Sequence, residues 1–112
     1  MMGIVIPAHN EEQRLLACLQ SVRSSMRHLA THGIGALLVV VLDACDDGSA
    51  DIARAHADQV LEMDARNVGQ ARRAGALRAI ELGADWLACT DADTQVPEDW
   101  LHGQWTCGAD VF

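Results

Sequence analysis

The sequence has no lysine, no tyrosine, two prolines and a single phenylalanine. All eight cationic side chains are therefore arginine, set against sixteen carboxylates, and the net charge is −8. Such a surface repels phosphate backbones and anionic headgroups, which disfavours nucleic acid and membrane as partners. It leaves room for a phosphate ligand held through a bound cation. No C-x-x-C pair occurs among Cys18, Cys45, Cys89 and Cys107, so neither a zinc site nor a redox pair is supported. Three of these cysteines lie in apolar stretches and read as small buried hydrophobes; Cys45 lies in an acidic loop and is assigned no role. No apolar run reaches membrane-spanning length. The apolar part of the opening MMGIVIPAHNEE is too short for a secretion signal and lacks a basic flank. The expectation is a soluble, cytoplasmic chain. With 112 residues, half of them apolar, it suits a single domain, residues 1–112, whose core needs no disulfide. There is no internal repeat, linker or low-complexity segment.

What is present alternates between strand and helix. Gly3 to Ala8 is an apolar run ended near Pro7 and reads as a buried strand. Asn10 is placed to cap the following helix, with Gln13 at the capping-box position and Glu11 and Glu12 in the first turn. Leu15, Leu19, Val22, Met26 and Leu29 then recur at spacings of four and three, one apolar face of a long helix, and Gly33 and Gly35 end it. Ala36 to Leu42 is continuously apolar and Val-rich, as expected of a parallel strand covered on both faces. A short helix is expected over about 50–57 with Ser49 as its cap, then a brief strand around Val60 and Leu61. Asn67-Val68-Gly69 opens a helix on which Ala71, Ala74, Leu77 and Ile80 share a face. Asp85 to Thr90 reads as a fourth strand, Pro97 to about Trp105 as a helix, and Ala109 to Phe112 as the start of a fifth strand. This order predicts an α/β, Rossmann-like parallel sheet in the order three-two-one-four with helices on both faces. Its core includes Ile4, Ile6, Leu19, Val22, Leu38, Val40, Leu77, Ile80 and Leu87.

In an open parallel sheet, ligands bind beyond the carboxyl ends of the strands, and the unusual polar residues fall there. Pro7-Ala8-His9-Asn10 follows the first strand, Asp43 the second, and Asp91-Ala92-Asp93 the fourth; Asn67 and Gly69 precede a helix start on the same edge. Two carboxylates about 4 Å apart repel by about 4 kcal/mol at an effective dielectric near 20. A divalent cation removes that penalty, and oxygen ligands suit Mg²⁺ or Mn²⁺. With eleven aspartates in 112 residues, about one Asp-x-Asp arises by chance. The weight therefore rests on its position, directly after the apolar Trp86-Leu87-Ala88-Cys89-Thr90. Asp47, Gly48 and Ser49 read as a turn and cap, whereas Asp43 ends a fully apolar strand and is a ligand candidate. His28, His32, His56 and His102 show no ligand spacing, and Trp86, Trp100 and Trp105 read as packing residues.

Together these segments resemble family 2 glycosyltransferases over essentially the whole chain. Ile4 to Glu12, IVIPAHNEE, is similar to the family's V-I-P-A-Y-N-E-E. Val39 to Ser49 resembles its second-strand motif, in the form V-A-D-N-C-T-D-D-T. Asn67 to Gly75 resembles N-x-G-x-A-R-N-x-G, and Thr90 to Asp93 with Val96 to Leu101 resembles L-D-A-D…V-P-P-D-W-L. Four motifs in order are far more specific than any one. The resemblance implies a GT-A fold and metal-dependent, inverting transfer of a sugar from a nucleotide-diphosphate sugar, a UDP-sugar, to an unknown acceptor. It implies that Pro7, Ala8, His9 and Glu11 line the nucleotide pocket, with His9 where the family usually has Tyr. Asp43 is implied to accept a hydrogen bond from the base, Arg72 to face the nucleotide side of the cleft, Asp91 to lie near the ribose and Asp93 to hold Mn²⁺ or Mg²⁺ on the diphosphate. Arg73 stands where the family usually has Asn.

The family's catalytic base is a carboxylate in the acceptor-binding half, and no residue here matches it. The expectation is the donor-binding part of a longer GT-A domain, with an open edge that favours self-association into a homo-oligomer. A D-x-D-x-[TV] phosphatase is disfavoured by Gln95 at the fifth position. A nucleotidyltransferase or a dinucleotide fold lacks its Gly-rich loop after the first strand. The alternative from another class is a non-catalytic nucleotide-binding or assembly module.

Overall fold

A computed structural model of the chain describes residues 1–107; the expected fifth strand at 109–112 lies outside them. The elements are β1 (Met2–Ala8), α1 (Leu15–Ala30), β2 (Ala36–Asp43), α2 (Ser49–His56), β3 (Gln59–Met63), α3 (Val68–Glu81), β4 (Trp86–Cys89) and α4 (Trp100–Cys107). All strand pairs are parallel and the order is β3-β2-β1-β4, as the alternation predicts. Val5 stands opposite Val39 on one side and Cys89 on the other.

Strand side chains point to opposite faces in alternation, and the sheet divides its apolar residues accordingly. Ile4, Ile6, Leu38, Val40 and Leu42 face α1, α2 and α4 in the larger core, where Leu15, Leu19, Val22, Leu29 and Leu101 join them. Val5, Val39, Val41 and Leu87 face α3 in the smaller one. The continuous apolar runs of β1 and β2 follow from this double cover.

Two local expectations are corrected. Asn10 does not cap α1: the helix begins at Leu15, and Arg14 and Leu15 donate their backbone N–H groups to Glu11 O. The Asn10 side chain is used elsewhere, in the rim described below. Leu77 and Ile80 are not core; they are 55% and 53% exposed. The face of α3 that meets the sheet is Ala71, Gly75 and Ala79, because small residues let the helix sit closer. A Cβ on Gly75 would overlap Val5 and lie 2.9 Å from Val41 Cγ2; one on Gly3 would lie 2.8 Å from Ala79 Cβ. Larger side chains on that face would lift α3 off the sheet. No described helix is long and apolar enough to cross a membrane.

Candidate functional site

The carboxyl ends of β1, β2 and β4 and the N-terminus of α3 enclose a cleft of about 510 Å³. Pro7, Ala8, His9, Glu11, Asp43, Asp91 and Asp93 all line it, so seven of the residues singled out in the sequence meet in one place. Arg66, Asn67, Val68, Ala71 and Ala92 complete the wall. Arg72 is not part of the lining; its guanidinium reaches Asp91 Oδ1 at 3.1 Å from α3.

The side of the cleft built by β1, β2 and their loops is cross-linked by side chains. Asp43 is 5% exposed, and its carboxylate accepts three backbone N–H bonds. Oδ1 takes those of Ala65 at 2.8 Å and Arg66 at 2.9 Å, and Oδ2 that of Asn67 at 2.8 Å. These bonds, that of Arg66 first, hold the carboxyl below the usual carboxylate range against the opposing effect of burial. With about four acceptor positions on a carboxylate, one on Oδ2 has no donor among the described residues. His9 Nδ1 donates to Asp43 O at 2.8 Å, since a carbonyl only accepts.

The loop after β1 and the loop after β2 are joined in register. Cys45 Sγ donates to Ala8 O, Asn10 Oδ1 accepts from Asp46 N at 2.9 Å, Glu11 N donates to Ser49 Oγ at 3.0 Å, and Glu12 Oε2 accepts from Gly48 N at 3.0 Å. The Ser49 hydroxyl chiefly, then the backbone N–H groups of Ser49 and Glu12, holds the Asp47 carboxyl low. Asp47, Gly48 and Ser49 are thus structural, as expected, although Ser49 is the first residue of α2 and not its cap. Among the described residues the non-glycine positions with positive φ are Asn10, Ala44 and Arg66, at 49°, 55° and 52°. All three lie on this edge, and strained backbone concentrates where a site imposes it.

The side built by β4 differs. Its backbone is fastened to α1: Cys18 Sγ donates to Asp91 O, Val96 N to Ser21 Oγ and Leu101 N to Ser25 Oγ. Its carboxylates are not consumed. Asp91 and Asp93 are 62% and 45% exposed and meet different arginines, Asp91 with Arg72 and Asp93 with Arg14 at 3.8 Å. Exposed pairs of this kind hold weakly, so these oxygens are available to a cation. Arg14 and Arg66 were not singled out in the sequence. Neither sits in a distinctive pattern, and only the fold brings them to the rim.

The glycosyl transferase family 2 model matches residues 3–106. This chain belongs to that family. No sequence match is found among curated proteins. Among solved structures the fold is similar to S. aureus TarS 1-349 in complex with UDP-GlcNAc, with TM-score 0.75 and 18% identity over 94% of this chain and 30% of that one. It is also similar to M. tuberculosis glucosyl-3-phosphoglycerate synthase in complex with Mn²⁺, UDP and phosphoglyceric acid, with TM-score 0.65 and 22% identity over 96% of this chain and 38% of that one. A 4-diphosphocytidyl-2C-methyl-D-erythritol synthase shares the fold at TM-score 0.65 and 20% identity, over 90% of this chain and 51% of that one. The chain therefore spans roughly a third of the two glycosyltransferase structures. At these identities the likeness carries the fold alone. The GT-A architecture expected from the sequence stands.

Proposed function

We propose that the cleft binds a UDP-sugar and that the chain is the donor-binding part of a metal-dependent, inverting glycosyltransferase. The observation that carries this reading is the convergence of the Asp43-anchored wall and the Asp91–Asp93 pair on one cleft of about 510 Å³, within the usual range for small-molecule sites. The complexes of the two glycosyltransferase relatives with UDP-GlcNAc and with Mn²⁺ and UDP support it.

The uracil would lie against Pro7, Ala8 and His9, with the open position of Asp43 Oδ2 accepting from the base. Asp91 would face the ribose. The diphosphate would lie between the N-terminus of α3, which favours anions, and Asp93. The donor set of that corner is carboxylate oxygen, exposed and only weakly paired, which fits Mg²⁺ or Mn²⁺ with phosphate and water filling the remaining positions. Bound there, such an ion supplies Lewis-acid stabilisation of charge on the leaving diphosphate. Arg72 reaches the cleft only through Asp91, so its role is to position that carboxylate. Transfer itself needs an acceptor hydroxyl whose oxygen bonds the anomeric carbon as the diphosphate departs. It also needs a base for the hydroxyl proton, and no described residue matches the family's base.

Competition seen by ligand-observed NMR tests the assignment. UDP and UDP-GlcNAc should displace one another in the presence of Mn²⁺, and GDP should compete more weakly. Failure of any nucleotide to bind, or equal competition by all bases, would remove the base-binding role of this wall. Hydrolysis of UDP-GlcNAc, measured in parallel, separates a working donor site from a nucleotide-binding module without turnover.

A further inference from the structure

Three histidines come together far from the cleft. From Leu15 at the rim to His28 the α1 helix rises roughly 20 Å, toward the amino ends of the strands. There His28 in the last turn of α1, His32 just beyond it and His102 on α4 bring one ring nitrogen each to within 4.8 Å of one another. His32 and His102 stack at 3.7 Å between centroids, and His28 stands edge-on to them at 5.2 and 5.8 Å. Glu98 Oε1 lies 3.7 Å from His28 Nδ1.

We propose that His28, His32 and His102 form a site for a divalent transition metal of the Zn²⁺ class, which ties the end of α1 to α4. Three observations lead there. Imidazole nitrogen suits Zn²⁺, Ni²⁺ and Cu²⁺ and not the oxygen-seeking Mg²⁺ of the cleft, so the two sites select different ions. His28 and His32 stand four apart across the end of α1, where the chain is still turning after Ala30, and α4 supplies the third ligand. Glu98 Oε1, 3.7 Å from His28 Nδ1, is near enough to add a carboxylate oxygen, which zinc also accepts. Ligand nitrogens around a tetrahedral zinc are roughly 3.3 Å apart, so the cluster must contract from its present spacing. His32 is exposed and its ring is free to swing out of the stack and turn its nitrogen inward. Three protein ligands leave a fourth position for Glu98 or water.

The site is independent of the nucleotide reading, since none of its residues lines the cleft. Titrating ZnCl₂ into the whole chain without nucleotide should give one equivalent of saturable binding and a raised Tm. His102→Ala and His32→Ala should each weaken it by at least about tenfold. His32→Ala removes an exposed ring, so its metal-free Tm should match wild type and a loss of binding cannot be ascribed to misfolding. Asp93→Ala should leave zinc binding unchanged. Absence of zinc binding by the wild type, or binding unaltered in both histidine variants, overturns the proposal.

Discussion

The two walls of the cleft use the same residue type in opposite ways. On the wall after β1 and β2, carboxylates are spent on the protein: Asp43 holds three backbone N–H groups, and Asp47 and Glu12 hold their neighbours. On the wall after β4, the backbone is held by Cys18, Ser21 and Ser25, and Asp91 and Asp93 are left facing solvent beside arginines. In the proposed function the first wall is already built when the ligand arrives, and the second would be completed by a cation. Aspartate can thus make either a fixed wall or a free charged edge, according to whether the chain supplies its own hydrogen-bond donors.

The contrast is broken most directly at Asp93. Asp93→Ala should abolish UDP-dependent retention of Mn²⁺, read from the loss of the free-ion electron paramagnetic resonance signal, while Tm stays near wild type. Asp43→Asn should do the reverse. An amide cannot accept at both ends, so the 65–67 turn loosens, and UDP binding should weaken by about one to two decades with its metal requirement intact. The same carboxyl sets a pH signature. Its native pKa is lowered, so its stabilising effect is present above the ordinary carboxylate value of about 4 and is lost as pH falls from there through the lower native value. Thermal melts across that range should be steeper in pH for wild type than for Asp43→Asn.

Smaller effects sharpen the picture of the built wall. Ser49 is fully buried, and its hydroxyl accepts from Glu11 N. Ser49→Ala should cost about 1–3 kcal/mol by leaving that donor without its partner, as chemical denaturation would show. Ala44 holds φ 55°, so Ala44→Gly should stabilise by up to about 1 kcal/mol, with UDP affinity little changed.

Most of this architecture is legible in the sequence because strand ends are where parallel sheets place ligands, and Asp43 and Asp91 each follow an apolar run. The strand order follows from the same alternation. What the sequence hid is instructive. Leu77 and Ile80 read as core because they are large and helically spaced, yet α3 packs through Ala71, Gly75 and Ala79, where close approach outweighs side-chain size. Asn10 has the chemistry of a cap, but its amide oxygen serves Asp46 N across the rim, a partner no local window contains. Arg14 and Arg66 carry no motif and become rim residues only through the fold. His28 and His32 are four apart, but the spacing has meaning only when α4 brings His102 beside them.

The claim that one wall is preformed and the other waits for a cation is tested most directly by calorimetry of UDP binding with and without Mn²⁺, on wild type and Asp43→Asn. The account predicts that wild type binds UDP only when Mn²⁺ is present, and that Asp43→Asn binds more weakly but with the same metal requirement. Binding of UDP to wild type that is equally tight without Mn²⁺, or loss of the metal requirement in Asp43→Asn, would contradict it.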